Sequence, residues 1–161
     1  MSKTKCENMK NEKCIVSACL AGIPCRYDCQ HKNNKCASEL VKDGLAIPLC
    51  PEQLAGLPTP REACECKIIN GKKVVVSKSG KDYTECFHNG AEIVLNFCKA
   101  NGIKKAILRK NSPSCGIKTF DGSFTGTLAN YPGITAQILM ENGIEVISSE
   151  DIENPKTPIL P

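Results

Sequence analysis

The sequence contains no tryptophan, only two histidines and few rings of any kind, with aromatics at 4% of 161 residues. Aliphatic side chains must therefore fill the interior. His31 and His88 stand apart without ligand-like spacing, so both read as surface or structural residues. No hydrophobic run approaches the length of a membrane span, and no apolar region follows Met1 to mark an export signal. A net charge of +4 does not by itself imply nucleic-acid binding, which gathers many phosphate-contacting cations on one face. One further absence concerns the cysteines. No two of them stand in a Cys-x-x-Cys relation, which argues against zinc ribbons, thioredoxin-like redox pairs and the clustered runs of small ferredoxins.

Cysteine itself is abundant, with twelve in the chain. Without an export signal the expected compartment is the reducing cytoplasm, where such a count points to metal or thiol chemistry rather than cross-links. Hydrophobic content of 41% and charged content of 24% are ordinary for a globular protein. Residues 1–13 are polar and lysine-rich and read as a flexible lead-in, 14–150 as one domain, and 151–161 as an extended tail.

The run Cys14–Cys19 is continuous, small and β-branched, the mark of a strand buried on both faces. A short helix is expected over Cys36–Lys42, closed by Gly44, and a second strand over Leu45–Leu49, although Pro48 is awkward for a central position. Lys67–Ile69 and Val74–Val76 flank Asn70-Gly71, a strong hairpin signal. Thr84 is the expected cap of a long helix from Glu85 to about Ala100. Strands at Lys105–Leu108 and Ile144–Ile147 enclose a helix over Thr135–Asn142. This order gives a three-layer, Rossmann-like α/β domain with a mostly parallel sheet and an added β-hairpin.

Three cysteines, Cys19, Cys50 and Cys115, each follow a predicted strand and precede backbone-bending residues. In a parallel sheet they would converge at one edge, the usual ligand position of an open α/β fold. Three soft thiolates facing one pocket suit an iron–sulfur cluster or zinc. Buried cysteines beside Gly and Pro fit the same pattern, and spacing alone leaves both readings open. Cys64-Glu65-Cys66, the closest pair, reads as structural with a functional role as the lesser alternative, while Cys14, Cys86 and Cys98 read as core positions.

The stretches Cys19-Leu20-Ala21-Gly22-Ile23-Pro24-Cys25-Arg26-Tyr27-Asp28, Cys50-Pro51-Glu52, Gly56-Leu57 with Pro60-Arg61, Gly80–Thr84, Ser112-Pro113-Ser114-Cys115-Gly116 and Asp121–Gly126 together resemble the thiouracil desulfidase family. They occur in family order over nearly the whole chain. The resemblance implies a [4Fe-4S] cluster held by three cysteines, here Cys19, Cys50 and Cys115, with one open iron that binds the substrate sulfur. It also implies non-redox desulfuration of a thiolated uracil as a small-molecule substrate. Some relatives act on thiouridine in transfer RNA, so thiolated tRNA is the alternative substrate. The chain departs from the family pattern at Cys29, at Ala55, and over Glu62–Cys66.

On this reading Glu52 carries protons, since a carboxylate beside apolar loops suits acid–base work near neutrality; its rival reading is a structural carboxylate in a first helical turn. Ser112 or Ser114 positions substrate or relays a proton, with Ser114 favoured for its adjacency to Cys115 and a turn role open for Ser112. Arg26 and Arg61 bind a carbonyl oxygen or phosphate, or else tie their loops to carboxylates such as Asp28 or Asp82. Cys25 or Cys29 as a fourth ligand would close the open iron. Lys99, Lys104, Lys105, Arg109 and Lys110 read as a solvated edge rather than an RNA face. Two rival functions are a carrier of iron–sulfur clusters or sulfide, and a colourless zinc-bearing structural domain.

Overall fold

The computed structural model describes residues 5–152. Helix α1 (Lys5–Asn8) and a 3₁₀ turn (Met9–Asn11) lead into β1 (Cys14–Ser17), which ends in a second 3₁₀ turn (Ala18–Ala21). Next come α2 (Lys35–Lys42), β2 (Ala46–Leu49), α3 (Pro51–Leu54), β3 (Cys64–Ile69), β4 (Lys72–Ser77) and α4 (Thr84–Ala100). The chain continues through β5 (Lys105–Leu108), β6 (Thr119–Phe120), β7 (Leu128–Ala129), α5 (Ile134–Glu141), β8 (Glu145–Ser148) and α6 (Ser149–Ile152). No helix among the described residues is long and apolar enough to cross a membrane.

Four strands form one parallel sheet in the order β2-β1-β5-β8. Every residue of β1 is buried, and the two-residue period of the strand divides them between two cores. Cys14 and Val16 pack with Cys36, Ala37 and Leu40 of α2. Ile15 packs on the other face with Val94, Leu95 and Cys98 of α4 and Ala136 and Leu139 of α5. Each such fully buried aliphatic side chain contributes roughly 1.5–3 kcal/mol. The expected α/β architecture with helices on both faces of a parallel sheet is therefore present.

The β3–β4 hairpin pairs antiparallel and turns at Asn70 (φ 51°) and Gly71 (φ 76°), the left-handed pair that a two-residue loop requires. It starts at Cys64, three residues before the expected Lys67, and Cys66 is buried with Val75 against Phe87 of α4. Pro48 finds its explanation in topology. β2 is an edge strand, paired with β1 on one side only, so a missing N–H on the other costs nothing.

Several expectations are corrected. The lead-in is ordered from residue 5: Met9 is buried in the first core, and Cys6 forms a disulfide with Cys36 of α2 at a Cα–Cα distance of 5.6 Å. The cysteines thus include a cross-link, where only free thiols were expected. Residues 151–152 close α6, with Ile152 buried, and the rest of the expected extended tail lies outside the described residues. Thr84 begins α4 instead of capping it; its N–H donates to Asp82 Oδ1 at 2.8 Å. Cys86 is half-buried rather than core, unlike Cys14 and Cys98. α3 and the two-residue strands β6 and β7 are too short to show a period in the sequence.

Candidate functional site

β1, β2 and β5 are neighbours and run parallel, so their carboxyl ends lie together. The 3₁₀ turn after β1 carries Cys19, the residue after β2 is Cys50, and the loop after β5 carries Cys115. All three line one cavity of about 250 Å³. Cys19 and Cys115 are almost fully buried, and Cys50 is half-buried at the start of α3. Pro51 follows it at the first helical position, where its missing N–H would have no helical partner anyway.

Two glycines let the loops close around the cavity. A Cβ on Gly90 would collide with the Pro51 carbonyl, so only glycine allows α4 to press against the turn bearing Cys50 and Glu52. A Cβ on Gly133 would come within 2.6 Å of the Pro113 carbonyl oxygen, in the loop that carries Cys115. That loop is further held by Gly133 N–H donating to Gly116 O (2.7 Å) and Ile134 N–H to Pro113 O (2.9 Å).

Ser112, Glu52, Arg26 and Arg61 line the same cavity. Ser112 Oγ accepts from the N–H groups of Ser114 (3.2 Å) and Cys115 (3.1 Å), which bends the loop so that Cys115 faces inward. Ser114 is buried behind the wall and does not itself face the cavity. Its hydroxyl donates to Glu52 Oε2 (3.3 Å), and Ser112 Oγ lies 3.1 Å from Ser114 Oγ. With Ser114's one proton given to Glu52, that of Ser112 points to Ser114, so a continuous path runs from cavity wall to carboxylate.

Glu52 is not set among apolar loops. Arg61 Nε donates to its Oε1 at 3.3 Å, and both side chains are largely buried. Three further N–H groups of Arg61 reach Pro58 O (3.2 Å), Thr59 Oγ1 (3.0 Å) and Cys25 O (3.0 Å). Arg61 therefore ties its loop to a carboxylate, as the second of its two expected readings had it, but the partner is Glu52 rather than Asp28 or Asp82. Arg26 differs. It pairs with Asp28 (3.4 Å), yet its Nε is buried without a hydrogen-bond partner. A buried orphan donor beside a cavity is what a ligand acceptor would satisfy.

The cavity wall holds further residues to which the sequence reading gave no settled role. Cys25 and Cys64 bring further thiols to the wall, and Arg109, assigned to a solvated edge, lines it as well. Position next to the strand end at Leu108 is the signal that could have found Arg109. Cys29 is exposed and does not line the cavity. Lys105 pairs with Glu12 (3.8 Å) and Lys110 with Glu150 (4.0 Å), so these cations are not one free face.

Three of the cavity thiols, those of Cys115, Cys25 and Cys50, are held toward their neutral form. Burial pushes Cys115 up to about 12, and contact with the Cys19 thiol pushes Cys25 up to about 11. Contact with the Cys25 thiol, then burial, pushes Cys50 far up. A soft metal centre would bind these groups as thiolates and release their protons. Among the described residues no three His, Cys, Asp or Glu side chains converge tightly enough to enclose a single ion. Thiols spread around a cavity of this size fit a larger, sulfur-loving group.

By fold and donor set this is a parallel α/β module with a thiol-lined pocket at the carboxyl edge of its sheet. The chain belongs to the 2-thiouracil desulfurase family, whose model matches residues 14–151. It is 37% identical over 147 residues to the uncharacterized protein YbbK of Bacillus subtilis strain 168, covering 87% of this chain and 97% of that protein. Among solved structures it is similar to the [4Fe-4S]-dependent thiouracil desulfidase TudS. The TM-score is 0.81 at 41% identity, covering 88% of this chain and 93% of the other.

Proposed function

We propose that the protein is a [4Fe-4S]-dependent desulfidase that converts a thiolated uracil to uracil and sulfide. The observation that carries this is the meeting of Cys19, Cys50 and Cys115 with Glu52 and Ser112 around one cavity, in a chain similar to a thiouracil desulfidase. Cys19, Cys50 and Cys115 would hold the cluster. When bound there, the cluster would supply a Lewis acid for a soft thiocarbonyl sulfur, which would make the attached carbon more electrophilic.

The chain's own residues supply the rest. Arg26 Nε, the orphaned donor, takes the carbonyl oxygen of the ring and fixes its orientation. Glu52 accepts the proton of the attacking water, and the reaction is a hydrolytic exchange of sulfur for oxygen with no net redox change. Of the two serines, Ser112 is the one that faces the cavity, so it contacts the substrate while Ser114 holds Glu52 Oε2 from behind. This reverses the preference for Ser114 drawn from adjacency to Cys115. Arg61, with four of its five N–H groups given to Glu52 and to three further protein acceptors, positions the carboxylate instead of binding substrate.

Anaerobic reconstitution followed by incubation with 2-thiouracil, 4-thiouracil and thiolated tRNA tests the proposal. Uracil and sulfide released together from a free base support it. Turnover of the tRNA alone moves the activity to the nucleic acid, and an intact cluster without any turnover leaves a carrier.

A further inference from the structure

Glu65 of β3 lines the same cavity, and one half of its carboxylate is already engaged. Its neighbour Cys66 is buried against Phe87 of α4, and the two-residue period of the strand turns Glu65 to the opposite face. There its Oε1 accepts the N–H groups of Gly122 (3.1 Å) and Phe124 (3.0 Å). The loop comes this close only because residue 122 is glycine: a Cβ there would lie 2.6 Å from the Lys67 Cβ, on a left-handed backbone of φ 89°. Asp121 N–H, donating to Thr127 O (2.9 Å), closes the loop on itself. Two backbone donors thus fix the carboxylate by one oxygen, and among the described residues Oε2 accepts no hydrogen bond. The cavity also holds the opposite deficit, the buried Arg26 Nε that donates to nothing. A free acceptor and a free donor on one cavity match a planar amide edge, in which a carbonyl oxygen accepts and the adjacent ring N–H donates.

We propose that Glu65 is a substrate-binding residue whose Oε2 accepts the ring N–H beside the carbonyl that Arg26 holds, so that the site selects rings unsubstituted at that nitrogen. The inference rests on the desulfidase reading above. The two carboxylates of the cavity then divide their work by their partners. Glu52 is held at both oxygens, by Arg61 Nε and by the Ser114 hydroxyl, beside the reacting centre. Glu65 is held at one oxygen by uncharged N–H groups and keeps the other for the ligand. A ring methylated at that nitrogen offers Glu65 no proton and sets a methyl group against a charge. A site built to hydrogen-bond an N–H rejects the analogue that lacks it, because its own polar group is then left unpaired.

The KM values of the anaerobically reconstituted protein for 2-thiouracil and for 3-methyl-2-thiouracil, which carries a methyl group in place of the N–H beside the carbonyl, test this. In wild type the methylated ring should have a KM roughly 10- to 100-fold higher, the scale of one hydrogen bond to a charged group. Glu65→Gln separates that bond from the bulk of the methyl group. The N–H groups of Gly122 and Phe124 must meet the amide oxygen of the glutamine, so its NH2 takes the place of Oε2: an acceptor becomes a donor while the loop stays held. Its KM for 2-thiouracil should rise by the same factor at unchanged iron content, and its preference between the two rings should collapse. A Glu65 that only held the loop would leave both KM values of Glu65→Gln where they are in wild type. That result overturns the inference, and so do equal KM values for the two rings in wild type, whatever the variant does. A fully iron-loaded wild type that releases no sulfide from 2-thiouracil overturns the desulfidase reading itself, and the inference falls with it.

Discussion

The two ends of β1 each carry a cysteine, and both are buried: Cys14 at 0% and Cys19 at 6% exposure. At the amino end Cys14 meets the aliphatic core, and burial pushes its thiol up to about 11, against the pull of Lys105. At the carboxyl end Cys19 faces a cavity with Cys25, Cys50, Cys115 and Glu52. Residue type and burial are shared. What separates them is the end of a parallel sheet on which each falls, because loops leave all of its strands at the carboxyl end and can bring groups from distant sequence to one point.

The sharpest way to break this comparison is to remove one thiol at each end. Alanine at Cys19, Cys50 or Cys115 should abolish both the brown chromophore and desulfuration, read from the visible spectrum and sulfide release of anaerobic preparations. Next in size, Glu52→Gln should keep the full iron content but lower kcat roughly 100- to 10,000-fold, as removal of a general base does. Arg61→Lys breaks the fork that joins Glu52 to the Cys25 loop, and a carboxylate misplaced by about an ångström should lose roughly 100-fold in kcat with little change in KM. At the other end of the strand, Cys14→Ala should lower stability by about 1 kcal/mol in urea denaturation and leave iron content and kcat unchanged. Loss of iron in Cys14→Ala would erase the distinction between the two ends.

Much of the carboxyl edge was legible because its parts are local. Cys14–Ser17, Ala46–Leu49 and Lys105–Leu108 are short apolar runs, each followed at once by a cysteine loop, and parallel pairing does the rest. The long-range partners were not legible. Nothing near Arg61 in sequence says that its carboxylate is Glu52, or that three further donors close on Pro58, Thr59 and Cys25, since these depend on how two loops fold over one another. The first residues misled for a different reason. Their composition is polar, and a single Met9 and a single Cys6 are enough to anchor them, too few to make a periodic signal. Arg109 and Asn111 reach the cavity from a segment with no regular pattern of its own.

The most direct test of the account is the dependence of turnover on iron. Anaerobically reconstituted protein should release uracil and sulfide from 2-thiouracil in equal amounts, lose that activity in step with iron removed by a chelator, and regain it on reconstitution. Full activity after all iron has been removed, or a colourless protein that turns over with zinc alone, would contradict it.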